Sequence, residues 1–263
     1  MDVRVRGTAQ DGGVPHLGCG CSRCARARED PTAVRYPAAL RVDAGESLLV
    51  DASMDIRHQI VGGVDGVVLT HAHLGHLPGL LQFGREVLDA DRLPVYCTPE
   101  LAEFVRTNQP FAALVADENV SLRPVDADAS IELPEGEIRP FRVTHRDEFG
   151  TGTLGLELRG RRTLVYVPDI DAWDDRTVAR IDAADVAVLD GTFWATDEIP
   201  RQADVPHPPV RAALDRLPLA GTDVYFTHLN HTNPLLDDGS AAYATLADAG
   251  AGVVDPGQRF DLG

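Results

Sequence analysis

The 263-residue sequence contains no lysine. All 24 of its basic residues are arginine, set against 41 acidic ones, for a formal net charge of −17. A surface of that sign repels phosphate backbones and anionic lipid, so neither nucleic acid nor membrane is an expected partner. Long apolar runs are also missing. None approaches the roughly 20 residues of a membrane helix, and the opening MDVRVRGTAQ is too polar for a secretory signal. The expected location is therefore cytoplasmic. Cysteine is scarce, with four residues, yet Cys19, Cys21 and Cys24 crowd together while Cys97 stands alone. In a cytosolic chain such a cluster points to metal rather than to disulfides. Repeats, low-complexity tracts and Pro/Gly/Ser-rich linkers are absent as well. Residues 1–263 thus read as one domain, 44% hydrophobic and long enough for a large core.

What is there alternates. DVRVRG reads as a strand, and AALRVDAGESLLVDAS as a hairpin turning at Ala44, Gly45 and Glu46. MDIRHQIV is a short helix, DGVVLT a buried strand, and LPGLLQFGREVLDA has helical periodicity. LPVYC is a strand, followed by a helix in TPELAEFVRTN with Thr98 as N-cap and Pro99 at its first position. Two or three strands fall in 119–145, and a second hairpin turns around Gly160. Strand and helix then alternate through VPD, DDRTVARIDAA, DVAVLDG, PPVRAALDRL, TDVYFTH and SAAYATLADAG to a last strand in AGVVDP. Two sheets with helices outside is the simplest architecture.

The chemistry concentrates at strand ends. VVLTHAHLGH closes an apolar run with His71, His73 and His76. Neutral imidazole is the commonest metal-binding side chain at physiological pH, and three within six residues form a strong signal where one would read as core or surface. Asp51, His145, Asp169 and His228 each end a later or earlier strand, and ligands gather at one edge of layered α/β sheets. Any one of them alone is explained by the polarity of strand ends; their shared position is what counts.

This pattern resembles the metallo-β-lactamase superfamily, whose H-x-H-x-D-H motif corresponds to HAHLGH. The resemblance implies a four-layer αββα sandwich. It also implies that His71, His73 and His145 hold one metal, that His76 and His228 hold a second, and that Asp169 bridges them. Asp51 matches an aspartate that orients the loops and is counted with Asp169 and His228 among the catalytic candidates. Gly75 departs from the pattern, because the family has a metal-binding aspartate there. A water, Asp147 or Asp190 are the expected occupants of the space it leaves.

CGCSRC, in a loop at about 16–25, has C-x-C-x2-C spacing suited to a structural zinc, with His231 of HLNHTNP as the expected fourth ligand. This loop resembles that of the phosphonate-pathway cyclic phosphodiesterases, and LLVDASMDIRHQI, LPVYCTPEL, VLDGTFWATDE and HLNHTNPLLDD resemble the B family of pyrroloquinoline quinone (PQQ) biosynthesis. The expected cofactors are zinc at the cysteines, and one or two ions of zinc, manganese or iron at the histidines.

The leading expectation is a metallo-hydrolase, in which metal-activated water attacks an ester or phosphodiester-type bond of a small-molecule or peptide substrate. Two alternatives remain: an iron-dependent hydroxylase acting on a tyrosine-containing peptide or PQQ-type intermediate, and a non-catalytic carrier in a cofactor pathway. Asp190, Phe193 and Trp194 either line the pocket or pack in the core. His207 reads first as a residue preceding a helix and second as one reaching the pocket mouth, His16 and His58 as structural or surface residues, and Cys97 as a buried small hydrophobe. Thr232 and Asn233 read as turn formers. GTAQDGG either offers backbone N–H groups that suit an anion or is a plain Gly-rich turn.

Overall fold

The computed structural model describes residues 1–263. The chain forms two seven-stranded sheets. The first is built in sequence from β1 (Asp2–Gly7), β2 (Ala39–Asp43), β3 (Ser47–Val50), β4 (Gly66–Val68), β5 (Leu93–Cys97) and β6 (Val120–Pro124). The second takes β7 (Ile131–Leu133), β8 (Gly136–Val143), β9 (Thr153–Arg159), β10 (Thr163–Val167), β11 (Val186–Asp190), β12 (Asp223–Thr227) and β13 (Gly252–Val253). The last strand, β14 (Arg259–Asp261), returns to the first sheet and pairs with β1. The helices are α1 (Ser22–Glu29), α2 (Ile56–Gln59), α3 (Pro99–Thr107), α4 (Phe111–Ala116), α5 (Asp175–Asp182), α6 (Val210–Ala213) and α7 (Ala241–Asp248).

Strand alternation divides the core into layers. In β10, Leu164 and Tyr166 face the first sheet and pack with Val3, Leu40, Leu48 and Val50. Their neighbours Val165 and Val167 face outward, against Ile181 of α5, Val210 of α6 and Leu246 of α7. On the other side, Val67 and Val95 of the first sheet pack under Leu101 and Val105 of α3 and Leu114 of α4. The result is an αββα sandwich, as the histidine motif implied.

Strand direction then fixes where the polar ends fall. β3 and β4 are parallel, as are β10, β11 and β12. β8 is antiparallel to β9, which is antiparallel to β10, so β8 runs with β10. The C-terminal ends that lead into Asp51, His71, His145, Asp169, Asp190 and His228 therefore share one edge.

Several elements differ from their sequence pattern. The expected helix over LPGLLQFGREVLDA is a 3-10 turn, Pro78–Phe83, followed by bends. Tertiary hydrogen bonds claim its start, since Gly79 N–H donates to the Ala52 carbonyl and Ala52 N–H to that of His76. α6 covers only four residues of PPVRAALDRL. Three elements fall outside the expected set, among them α4. β14 is three residues long, too short for a period to register. α1 lies inside the cysteine loop, capped by the Cys21 sulfur, which accepts from Cys24 N–H.

Candidate metal centre

The shared edge brings His71, His73, His76, His145, Asp169 and His228 into one buried cluster. His71, His73 and His145 form one group of converging donors, and His71, His76 and Asp169 another. Asp169 sits between them. Its Oδ2 lies 3.2 Å from His76 Nε2, 3.3 Å from His228 Nε2 and 4.0 Å from His71 Nε2, and its Oδ1 lies 3.7 Å from His145 Nε2. That is the reach required of a bridging carboxylate.

Each imidazole is held by its other nitrogen. His71 Nδ1 is 2.9 Å from the Thr70 hydroxyl, which in turn donates to Asp51. His76 Nδ1 donates to Asp51 at 2.8 Å, His145 Nδ1 to Asp171 at 2.8 Å, and His73 Nε2 to the exposed Glu148 at 2.8 Å. His228 Nδ1 donates to the Thr192 hydroxyl at 2.8 Å. Such outer partners fix the ring and raise its basicity toward a metal. The remaining nitrogens face inward, and His73 Nδ1 and His145 Nε2 approach to 3.2 Å. The Nε2 atoms of His71, His76 and His228, Asp169 Oδ2 and Asp11 Oδ1 are buried without a hydrogen-bond partner. Orphaned buried polar atoms are costly, and five converging on one space fit a divalent metal centre of mixed nitrogen and oxygen donors.

Asp51 is fully buried and meets only His76, Thr70 and backbone. It stands behind the ligands, its carboxylate holding Thr70 and the His76 ring in place. Its backbone φ of 65° and that of His228, 60°, lie in the left-handed region, unusual for residues with side chains. Both bend the chain at the edge where the cluster forms.

The charges in the cluster offset one another. Burial works against charge on His76, yet Asp51 and Asp169 hold its pKa well above the ordinary value. Burial and the neighbouring His76 push that of His71 well below. Burial opposes ionisation of Asp169, but His228 and His76 keep its carboxyl well below the usual range. Imidazole binds a metal in its neutral form, so metal affinity at such a centre falls as pH falls.

The space beside Gly75 is filled by neither Asp147 nor Asp190. Asp147 accepts from Gly152 N–H and Thr151, and Asp190 from Ile170 N–H, Thr192 and His207. The occupant is Asp11, from the loop after β1. A Cβ built on Gly75 would lie 2.2 Å from Asp11 Oδ1. That oxygen is 3.4 Å from His76 Nε2 and 3.6 Å from His228 Nε2. Asp11 belongs to GTAQDGG, whose N–H groups are not free for an anion, since Gly12 and Gly13 donate to Gln10.

His207 points inward. It is buried at the centre and donates from Nδ1 to Asp190 Oδ2 at 2.6 Å, its ring tilted against those of His228 at 5.8 Å and His145 at 5.5 Å. Phe193 is buried with its ring 6.1 Å from that of His207, while Trp194 packs against the outer core of the second sheet. No local pattern marked His207 or Asp11, because both reach the centre from loops remote in sequence.

Cys19, Cys21, Cys24 and His231 form a second group of converging donors. His231 Nδ1 is 3.6 Å from the Cys19 sulfur and 3.9 Å from that of Cys21. Burial pushes the Cys24 thiol up to about 11, so metal binding here also releases a proton and weakens as pH falls. Arg23 donates to the His231 carbonyl and Arg28 to those of Cys19 and His16, tying the loop down. His16 lies against His231, His58 stacks on Tyr36 at the surface, Asn233 caps a 3-10 turn, and Cys97 is buried in the core.

Residues 46–249 match the beta-lactamase superfamily domain, and with the sandwich and its histidine edge this establishes that the chain belongs to the metallo-β-lactamase superfamily. Within it, the chain is similar to coenzyme PQQ synthesis protein B of Ruegeria pomeroyi, with 30% identity across the whole of both chains. The same protein of Methylococcus capsulatus is 28% identical, again over both full lengths. Among solved structures, zinc-bound PqqB from Methylobacterium extorquens superposes with a TM-score of 0.85 at 25% identity, covering both chains completely. A diphosphatase of the PhnP family shares the fold, with a TM-score of 0.73 at 23% identity over 99% of this chain and 97% of that one. No helix is long and apolar enough to cross a membrane.

Proposed function

We propose that the chain is a metal-dependent hydrolase that cleaves an ester or phosphodiester-type bond, with zinc, manganese or iron at the histidine centre and zinc at the cysteine loop. The observation that carries this reading is the set of five orphaned buried donors, spread over both halves of the centre and shared through Asp169. His71, His73, His145 and Asp169 would hold one ion, and His76, His228 and Asp169 the other. When bound, such ions polarise the scissile bond and acidify water.

The chain's own groups supply the rest. His207, buried and backed by Asp190, holds its proton more tightly than a free imidazole, because Asp190 outweighs the effect of burial. It is suited to hand that proton to a leaving group. Phe193 packs edge-on beside it, its ring 6.1 Å away. Asp11 supplies a carboxylate in the space beside Gly75, which suits the hydrolytic reading over the hydroxylase one. A pure carrier has no use for so many inward-facing donors.

The test is a panel of chromogenic esters and phosphodiesters assayed with protein purified without chelator. The wild type should turn over at least one class, and His73→Ala should lose both turnover and metal from the histidine centre. A His73→Ala protein that keeps full turnover would sink the reading.

A further inference from the structure

We infer that Asp11 is a ligand of the second metal position, having replaced a motif carboxylate at position 75, and that Gly75 is the glycine this exchange requires. The inference rests on the metal-binding reading of the centre but not on hydrolysis.

Three independent observations meet at Asp11. Its Oδ1 is buried and unpartnered although the side chain as a whole is 24% exposed, so that one oxygen is aimed inward. It lies 3.4 and 3.6 Å from the inward nitrogens of His76 and His228, which in turn share Asp169 Oδ2 as a neighbour; these are the donors of the second position. Steric exclusion adds the third. A Cβ on Gly75 would lie 2.2 Å from Asp11 Oδ1 and 2.9 Å from its Cα, closer than real Cβ atoms approach. One of those contacts is with backbone, so rotating the Asp11 side chain does not relieve it. An aspartate at 75 and the present Asp11 therefore cannot coexist, and the centre holds one carboxylate in that space from either direction.

The N-terminal loop is built to deliver it. Leu229 N–H donates to the Thr8 carbonyl and Gln10 N–H to that of Leu229. These bonds lock the stretch before Asp11 alongside the residue that follows His228. The carboxylate and the imidazole thus arrive as a pair. A carboxylate oxygen is a ligand type accepted by zinc and by manganese alike.

The experiment uses the full chain, stripped of metal at the histidine centre and titrated with Zn2+ or Co2+ alone. Outer-shell changes cost on the order of 10–100-fold in metal affinity, so loss of a direct ligand should cost at least that. Asp11→Asn keeps the shape of the side chain. It should bind one equivalent less metal than wild type at limiting Zn2+, with the thermal midpoint of the metal-free protein unchanged and the Co2+ absorption of the second position altered. Gly75→Asp alone should lose the same equivalent by collision. Unchanged stoichiometry and affinity in Asp11→Asn would overturn the assignment. These readouts are independent of turnover. A wild type that cleaves no ester yet loses its second ion in Asp11→Asn leaves the assignment standing while the hydrolase reading fails.

Discussion

The two halves of the histidine centre share Asp169 but are assembled differently. His71, His73 and His145 come from the turn after β4 and the end of β8, both held within the sandwich. Asp11, His76 and His228 come from three places: the loop after β1, the end of the histidine turn and the end of β12. Two of these lie beside the cysteine cluster, since His228 is followed by His231 and the Asp11 loop runs on into Cys19. The first position is thus a product of the sheets alone. The second also depends on a surface loop, held on one side of Asp11 by the bonds of Thr8 and Gln10 to Leu229 and running on the other into the cysteine group. The contrast implies that a change can remove one ion without the other, and that the way to do so is through residues outside the sheets.

The largest expected effect erases the contrast. Asp169 reaches donors of both groups through its two oxygens. Asp169→Asn removes the charge and half the acceptor capacity, so affinity should fall at both positions by about 100-fold or more, beyond the range of outer-shell changes. Metal analysis at limiting zinc should then find only the cysteine-bound ion. If the Asp169→Asn protein retained metal at either histidine position, the two would not be joined through this carboxylate.

The same contrast explains what could be read from the sequence. The gathering of the cluster was legible because a compact motif and strand ends encode it: apolar runs predict buried strands, and their shared ends bring His71, His73, His76, His145, Asp169 and His228 together. Their division into two positions came from the family resemblance instead. The hairpins, the Thr98-capped helix and the layer order were legible for the same local reason. Asp11 was not, because its sequence context is a Gly-rich turn with two sound explanations of its own. Only the tertiary pairing of Thr8 and Gln10 with Leu229 brings it to Gly75. His207 was hidden likewise, since its partner Asp190 lies seventeen residues away across a loop. Gly75 was a visible anomaly, but a missing side chain points to a space, not to what fills it.

An intermediate effect should come from the surface. Cys24 is the buried member of its cluster, and structural zinc sites contribute folding free energy directly. Cys24→Ser should lose the cysteine-bound zinc, loosen the segment between Asp11 and α1, and weaken the second histidine position by about 10-fold, the lower end of outer-shell effects. The first position should bind as in the wild type. Equal weakening of both in a Co2+ titration would mean that the cysteine loop supports the whole sandwich rather than one side of the centre.

The smallest change separates the halves most cleanly. Thr192 and Thr70 play matched parts, each hydroxyl accepting from one ligand imidazole and donating to a buried aspartate. Their reach differs. Thr192 serves His228, a second-position ligand, and its aspartate, Asp190, goes on to His207. Thr70 serves His71, but its aspartate, Asp51, also holds His76. Valine keeps the shape of threonine while deleting the hydroxyl, and it leaves a buried N–H unpaired at a cost of about 1–3 kcal/mol. Thr192→Val should therefore weaken the second position alone, by roughly 10-fold. Thr70→Val should weaken both, because Asp51 loses one of its donors while still gripping His76. Isothermal titration of the two variants with Zn2+ checks the asymmetry. A Thr192→Val protein with both positions weakened would show that His228 is not confined to one ion.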